Sequence, residues 1–408
     1  MARRRRIKSL YYITHVDNLP SILQLGILSH KQVEEQDVQF APVYDAAIVA
    51  NRQKRAAPDG NSLWEFANLY FQPRNPMLYR VVNKRDKHNV AILGVNPQVL
   101  DIPGSFVSIG NAVSHLSEIV PVEEGIKVIT EEMWGVLTSD WWREEDGSKR
   151  KIMAECLVPG LVPPGFIHTI YVVSHQVADK VKASVMPYAP LISVVPEPHM
   201  FFQPRRRYQL TGTLYLVDGD MFFSQMQTLT ISVNVVGIMG KGLASRAKYQ
   251  FPDVYVFYQD LCHRKVLRMG RPYLYKRETS LDKQLADDPS SLPDLNTNKW
   301  FLLFPTKRHW RETSDIRGIE EGLEWVRSSY KAEGVQSLAI PALGCGLGQL
   351  DWRDVGPLMC RYLADLGIQV AIYLPQEKEI APEHLTKEFL LSARKADELG
   401  RPGDVECR

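Results

Sequence analysis

Cysteine is scarce and unpaired in this chain of 408 residues. Cys156, Cys262, Cys345, Cys360 and Cys407 are an odd count, and none stands in a Cys-x-x-Cys spacing. That argues against a disulfide framework and against a zinc site, so no metal is expected, and it fits a reducing cytoplasm. An excess of one charge is also lacking: 49 Lys and Arg face 47 Asp and Glu, a net +2. Affinity for nucleic acid must therefore come from local patches rather than from the field of the whole molecule. No run approaches the roughly 18 apolar residues of a membrane span. The basic stretch Arg3–Arg6 leads into Ile7-Lys8-Ser9 rather than into the apolar core of a signal peptide. A cytoplasmic protein with no membrane partner is expected. No internal repeat is visible. A Walker A loop is missing as well, because Gly237 to Gly242 lacks its Gly-x-x-x-x-Gly-Lys-[Ser/Thr] spacing, and no Gly-x-Gly-x-x-Gly fingerprint occurs with its later acidic residue.

What is present is enough chain for two or three domains, with 45% hydrophobic and 24% charged residues, the balance of an ordinary globular protein. The second half is organised around Met239-Gly240-Lys241-Gly242-Leu243-Ala244. Ahead of it, Leu229, Ile231 and Val233 alternate with Thr230 and Ser232, the pattern of a half-buried strand. Behind it, Leu243 to Lys248 has helix-forming content, which must stop before Pro252. A strand feeding a helix through glycines leaves backbone N–H groups free and aims the helix dipole outward, a geometry suited to phosphate. A tight turn with no ligand fits this loop alone equally well. A second loop breaks the tie: Ser337 to Pro341 reads as a buried strand, Gly344-Cys345-Gly346-Leu347-Gly348 follows, and Asp351-Trp352 opens a helix to about Leu366. Two strand–glycine loop–helix units could clamp a diphosphate from both sides.

The motifs Asn234 to Ala244, Phe304-Pro305-Thr306-Lys307-Arg308-His309-Trp310 and Gly344 to Gly348 resemble a macrodomain, specifically that of the DarG antitoxins, which are DNA ADP-ribose glycohydrolases. The resemblance covers roughly residues 210–380. It implies that ADP-ribose is the ligand and that Asp220 contacts its adenine. By the same resemblance Asn234 orients the distal ribose, and Gly240, Lys241, Gly242, Gly344, Cys345, Gly346, Leu347 and Gly348 surround the ligand. Lys307 is then the catalytic residue, which attacks or polarises the anomeric carbon. A lysine does so when desolvation or a neighbouring cation lowers its pKa, and Arg308 and Lys241 are the candidate cations. Some related glycohydrolases carry an aspartate in the second glycine loop, where this chain has Gly348.

In the first half, Leu10 to Ile13 reads as a strand, Asn18 to Leu25 as a helix ended by Gly26, Tyr44 to Arg55 as a second helix, and Ala67 to Phe71 as a strand. Two prolines argue against regular structure in Gln72 to Tyr79. Val90 to Val95 and Phe106-Val107 read as strands. Glu155 interrupts an apolar strand, so it faces solvent from an edge or sits in a cleft, because a buried unpaired carboxylate is too costly. The long polar loop Thr138 to Ser148 carries Trp141 and Trp142 side by side, and paired exposed aromatics suit the stacking of bases.

The pieces Ile13-Thr14-His15-Val16-Asp17-Asn18-Leu19, Tyr70-Phe71-Gln72-Pro73-Arg74-Asn75-Pro76-Met77-Leu78-Tyr79 and Ala154-Glu155 resemble DarT, a family that ADP-ribosylates bases of single-stranded DNA with NAD. The resemblance spans about residues 8–202. It implies Glu155 and Arg52 as catalytic residues and NAD as the substrate. Thr14, His15, Tyr70, Arg74, Met77, Tyr79 and His115 are then NAD-binding. Tyr12 stands where the family commonly has histidine. Thymidine is the favoured acceptor and guanosine an open one. Contact with DNA is expected from Trp141 and Trp142 by stacking and from Lys149, Arg150 and Lys151 at phosphates, with Lys54, Arg55, Arg74, Arg80, Lys84 and Arg85 as further phosphate candidates.

The expected fold is an α+β ADP-ribosyltransferase followed by an α/β macrodomain of three layers with a mixed sheet. The expected division is a transferase at 1–202, a short linker at 203–209, a macrodomain at 210–380 and a polar tail at 381–408, with prolines stiffening the seam so that the halves stay in contact. The resemblance implies a fused toxin and antitoxin, with single-stranded DNA and ADP-ribosylated DNA as partners. Two alternatives stay open: an NAD-consuming enzyme acting on RNA, and a macrodomain that reads ADP-ribose without cleaving it.

Overall fold

Strand-forming residues of the first half pair into one mixed sheet. In the computed structural model, which describes residues 6–44, 46–278, 280–292, 299–375 and 378–392, the strands of this half are β1 (Leu10–His15), β2 (Ile27–Leu28), β3 (Phe66–Tyr70), β4 (Val90–Val95), β5 (Phe106–Ser108), β6 (Ile119–Pro121), β7 (Glu155–Pro159), β8 (Leu161–Val162), β9 (Ile167–Val172) and β10 (Ser193–Pro196). Among the described residues eight of them form a sheet in the order β10-β9-β4-β1-β3-β7-β5-β6, while β2 pairs with β8. The continuous apolar run of β4 is buried throughout, as a central strand requires. Helix Leu19–Leu25 ends at Gly26, whose φ of +94° favours glycine and whose missing side chain lets the backbone of Val162 approach. The stretch Gln72 to Tyr79 differs from expectation. Pro76 opens a helix, Pro76–Lys84, at the one position where proline is tolerated, and the Asn75 side chain caps it by accepting from the Leu78 N–H.

Among the described residues the second half forms a sheet in the order β11-β12-β17-β16-β13-β15-β14. Its strands are β11 (Arg206–Gln209), β12 (Leu214–Asp218), β13 (Thr228–Asn234), β14 (Tyr273–Tyr275), β15 (Trp300–Lys307), β16 (Ser337–Pro341) and β17 (Gln369–Tyr373). The five inner strands are parallel and the two edges antiparallel. The period of two along β15 separates two layers: Leu302 and Phe304 join Ile319, Leu323 and Val326 of helix Ile316–Glu333, whereas Phe301 meets Phe251. That helix starts at the Asp315 cap, ends at Gly334 with φ +80°, and uses Gly322 where the Phe304 ring leaves no room for a side chain. Pro252 behaves as expected, since helix Gly242–Gln250 stops before it, and it then opens the next helix, Pro252–His263.

The chain divides into Met1–Gln203 with Asp282–Asp294, and Pro204–Leu281 with Leu295–Arg408. Two expectations are corrected here. The supposed linker at 203–209 contains β11, paired with β12 from Arg206 opposite Asp218 to Gln209 opposite Tyr215. The segment expected as a polar tail is anchored where it is described: Leu390 is buried in the core, and the His384 carbonyl accepts from Trp352 Nε1 at 3.0 Å. Its remainder, including Cys407, lies outside the described residues. Cys156, Cys262, Cys345 and Cys360 are buried free thiols. Among the described residues no helix is long and apolar enough to cross a membrane.

Candidate functional site

Glu155 opens β7 between β3 and β5, opposite Tyr70 on one side and Ser108 on the other. It is 1% exposed, and of the two settings open to it the structure selects the cleft. Both carboxylate oxygens are engaged: Oε2 accepts from Arg52 Nη1 at 3.0 Å and Oε1 from the Ala112 N–H at 3.1 Å. Arg52 comes from the last turn of helix Ala46–Gln53 and is itself buried. Its Nε and Nη2 are buried without a hydrogen-bond partner, so the guanidinium that holds Glu155 still has donors to offer a ligand.

These two residues line one cavity with Tyr12, Thr14, Tyr70 and Met77, and its apolar lining includes Ile22, Val33 and Phe40. Asn18 shapes the cavity by joining β1 to the segment at Ala41: its amide donates to Thr14 Oγ1 and the Ala41 carbonyl, and its oxygen accepts from the Ala41 N–H. His30 also lines the cavity, stacked on Trp64 at 4.3 Å and edge-on to Tyr44. Burial, helped by the Arg52 charge, lowers its pKa to about 4. Sequence reasoning missed Asn18, His30 and Tyr44 as wall residues, because nothing in a local pattern tells a cavity wall from a core.

Other expected NAD ligands lie elsewhere. His15 turns back to accept from the Asp17 N–H and does not line the cavity, and His115 is exposed in the turn after Asn111. Arg74 is buried against Asp140, His199 and the Phe202 ring. Tyr79 is buried with its hydroxyl donating to Asp282 at 2.8 Å. Nor is the tryptophan pair a stacking platform. Trp142 is 0% exposed and donates from Nε1 to the Leu285 carbonyl, while Trp141 is partly buried beneath the Arg143 guanidinium. In the basic run, Lys149 pairs with Glu144, and Arg150 donates to the Ile109 carbonyl and Ser117 Oγ, so Arg150 is structural; Lys151 is partly buried.

In the second unit the sheet places Asn234 opposite Lys307 at the ends of neighbouring parallel strands. Asn234 is committed to its own loop. Its amide donates to the Ile238 carbonyl at 2.6 Å, and its oxygen accepts from Val236 N–H and the Tyr258 hydroxyl. It thereby sets the loop that carries Gly240, Lys241 and Gly242, where Lys241 is the helix cap and Gly242 has φ +59°. Lys307 Nζ donates to the Leu347 carbonyl at 3.0 Å, which brings the amine to the second glycine loop. Desolvation lowers its pKa, with no cationic neighbour contributing. Arg308, expected to help, is instead paired with Asp315.

In that second loop Gly344 has φ +73°, Cys345 is buried with its thiol pushed up to about 12, and Leu347 is exposed. A side chain at Gly348 would collide with Ser314 Oγ and the Gly344 backbone, which explains why no aspartate stands there. Asp220 caps the Phe222 N–H and pairs with Arg246 at 2.7 Å, whose guanidinium lies 4.8 Å over Phe222. Among the described residues no group of three or more His, Cys, Asp or Glu is placed to hold a metal.

Comparison with known proteins bears on both units. The family described as DarT, ssDNA thymidine ADP-ribosyltransferase, matches residues 11–202. A protein of Thermosipho africanus named DNA ADP-ribosyl transferase-DNA ADP-ribosyl glycohydrolase fusion protein is 56% identical over 389 residues, covering 95% of this chain and 99% of that protein. A DNA ADP-ribosyl glycohydrolase of Thermus aquaticus is 34% identical over 187 residues, 45% of this chain and 48% of that protein. Among solved structures, Thermosipho africanus DarTG in complex with ADP-ribose superposes with a TM-score of 0.88 at 54% identity, covering 94% of this chain and all of that one.

Proposed function

The chain belongs to the family of DarT–DarG fusion proteins, and from that membership we propose that it writes ADP-ribose from NAD onto a base of single-stranded DNA and also erases it, as a toxin joined to its antitoxin. The observation that carries this is the full-length similarity to a transferase–glycohydrolase fusion. Thymidine is the proposed acceptor, supported by the description of the family matched by residues 11–202. Residues 1–202 are proposed to carry the writing activity and 210–380 the erasing one.

In writing, the bond between nicotinamide and ribose breaks, a bond from the ribose anomeric carbon to a base nitrogen forms, and that nitrogen loses its proton. Positive charge develops on the ribose, and Glu155 supplies the negative side chain in the cavity wall where that charge needs stabilising. The unused Nε and Nη2 of Arg52 are suited to an oxygen of the dinucleotide or of the acceptor base. Thr14, Tyr70 and Met77 are proposed to contact NAD from the same wall. His15, Arg74 and Tyr79, held by Asp17, Asp140 and Asp282, are proposed to support the surroundings of that wall. In erasing, water replaces the base at the anomeric carbon and the base recovers its proton. Lys307 is proposed to act on that carbon as the neutral amine, supported by its desolvation and its place beside Leu347. Gly240, Lys241, Gly242, Gly344, Gly346 and Gly348 would hold the diphosphate through backbone N–H groups.

The test uses the Lys307→Ala chain with NAD and a thymidine-containing single-stranded oligonucleotide. Mass analysis is expected to show one added ADP-ribose, which the unsubstituted chain then removes. An oligonucleotide whose mass stays unchanged would overturn the proposal.

A further inference from the structure

β15 ends on Lys307, and residues 308–314 form a loop before helix Ile316–Glu333. The loop is closed at its base, where the Asp315 N–H donates to the Thr306 carbonyl at 2.8 Å. It is also joined to the second glycine loop, because the Ser314 N–H donates to the Gly348 carbonyl at 3.0 Å. Within it, His309 organises the turn. Its carbonyl accepts from the Glu312 N–H at 3.1 Å and its Nδ1 from the Arg311 N–H at 3.3 Å, while its own N–H donates to Glu312 Oε2 at 3.3 Å. Trp310 stands in this braced loop and is 45% exposed. Its ring lies 5.4 Å from the His309 ring and 4.6 Å beneath the Arg311 guanidinium. Arg308 is paired with Asp315, whereas Arg311 is exposed and makes no ion pair among the described residues.

Single exposed apolar side chains are common on protein surfaces, but tryptophan and arginine are among the residues that carry most of the energy of binding surfaces. Their place here adds to their type. Lys307 is the amine proposed to act on the anomeric carbon, and its Nζ donates to the Leu347 carbonyl. Trp310 follows three residues later, so the two Cα atoms are at most about 11 Å apart. In the substrate, ADP-ribose lies on one side of the anomeric carbon, and the base with its strand lies on the other. The glycine loops are assigned to the diphosphate, which leaves the strand to be held by other groups within reach of Lys307. Any nucleobase offers a π-face to an indole, and a neighbouring phosphodiester offers acceptors to a guanidinium. We propose that Trp310 and Arg311 form a nucleic-acid subsite of the second unit, in which a base of the marked single strand stacks on the indole and an adjacent phosphate pairs with Arg311. The erasing unit thus binds the DNA as well as the ADP-ribose that it removes. This deepens the glycohydrolase function proposed above and rests on it. Such contacts hold the ground state and the transition state alike, so their loss appears in KM.

The experiment uses the full chain without NAD, so that nothing new is written, and a single-stranded oligonucleotide marked beforehand by a separate DNA ADP-ribosyl transferase. Release of ADP-ribose is followed by chromatography. Trp310→Ala is expected to raise KM for the marked oligonucleotide about five- to a hundredfold, the loss of one base–aromatic stack. Trp310→Phe should recover most of that loss. Arg311→Gln is expected to lower the slope of log KM against log salt by about 0.7, the share of one phosphate contact on a single strand. Inhibition of the same reaction by free ADP-ribose reads the erasing site without any base, and its inhibition constant should stay the same in these variants. An unchanged KM in Trp310→Ala, or an unchanged salt slope in Arg311→Gln, would overturn the proposal. So would an ADP-ribose inhibition constant that weakens in step with KM, which would make Trp310 a support of the ADP-ribose pocket. No release of ADP-ribose by the unsubstituted chain would instead remove the glycohydrolase function, and the subsite with it.

Discussion

Glu155 has one oxygen on a buried guanidinium and the other on a backbone amide, so its position is fixed before any ligand arrives. Glu155→Gln keeps the shape and removes the charge. Transfer to DNA is expected to fall about a hundred- to a thousandfold, while hydrolysis of a DNA mark made beforehand stays unchanged; mass analysis of both reactions reads the difference. Lys307 offers a pH test. Its lowered pKa means that the neutral amine appears at lower pH than for an ordinary lysine at about 10.4, so the acid limb of the hydrolysis profile should lie below that value. Lys307→Arg, which stays protonated, should abolish the reaction. His30 titrates in the other sense. Its folded pKa of about 4 lies below the ordinary value of 6.5, so as pH falls from 6.5 toward 4 the unfolded chain takes up a proton that the folded chain refuses. Stability of the first unit should therefore decline across that window, and His30→Gln should flatten the decline in a thermal melt followed at successive pH values.

Elements with local punctuation were legible in the sequence. Helix Leu19–Leu25 ends at Gly26, helix Trp352–Leu363 begins at the Asp351 cap, and β13 carries its alternation into the first glycine loop. What escaped depended on context or on distant partners. Pro76 reads as a breaker until Asn75 turns it into a helix start, and β11 is too short and polar to signal itself before pairing with β12. Glu155 and Lys307 were found through motifs, whereas the burial of Trp142 rests on Leu285, far along the chain. Trp142→Ala should thus lower stability by about 3–5 kcal/mol, read by denaturant melting, because it empties a core position rather than a surface stack. A carboxylate at position 348 is a further test of element packing. Gly348→Asp must displace the Gly344 backbone as well as Ser314, so ADP-ribose binding to the second unit should weaken, as titration calorimetry would report.

Across the whole molecule, two opposed activities in one chain imply a cycle with no lasting product on DNA. With NAD and single-stranded DNA supplied, nicotinamide and free ADP-ribose should accumulate at equal steady-state rates. In the Lys307→Ala chain, nicotinamide release should stop once the oligonucleotide sites are filled, and chromatography of the small molecules reads both outcomes.

The interleaving of Asp282–Asp294 with the first unit also bears on how such a gene could evolve. Cutting the coding sequence after Gln203 would strand part of one folded body on the other product, leaving Arg80 without Asp287. Two separate proteins with the same fold would have to rebuild that junction between molecules.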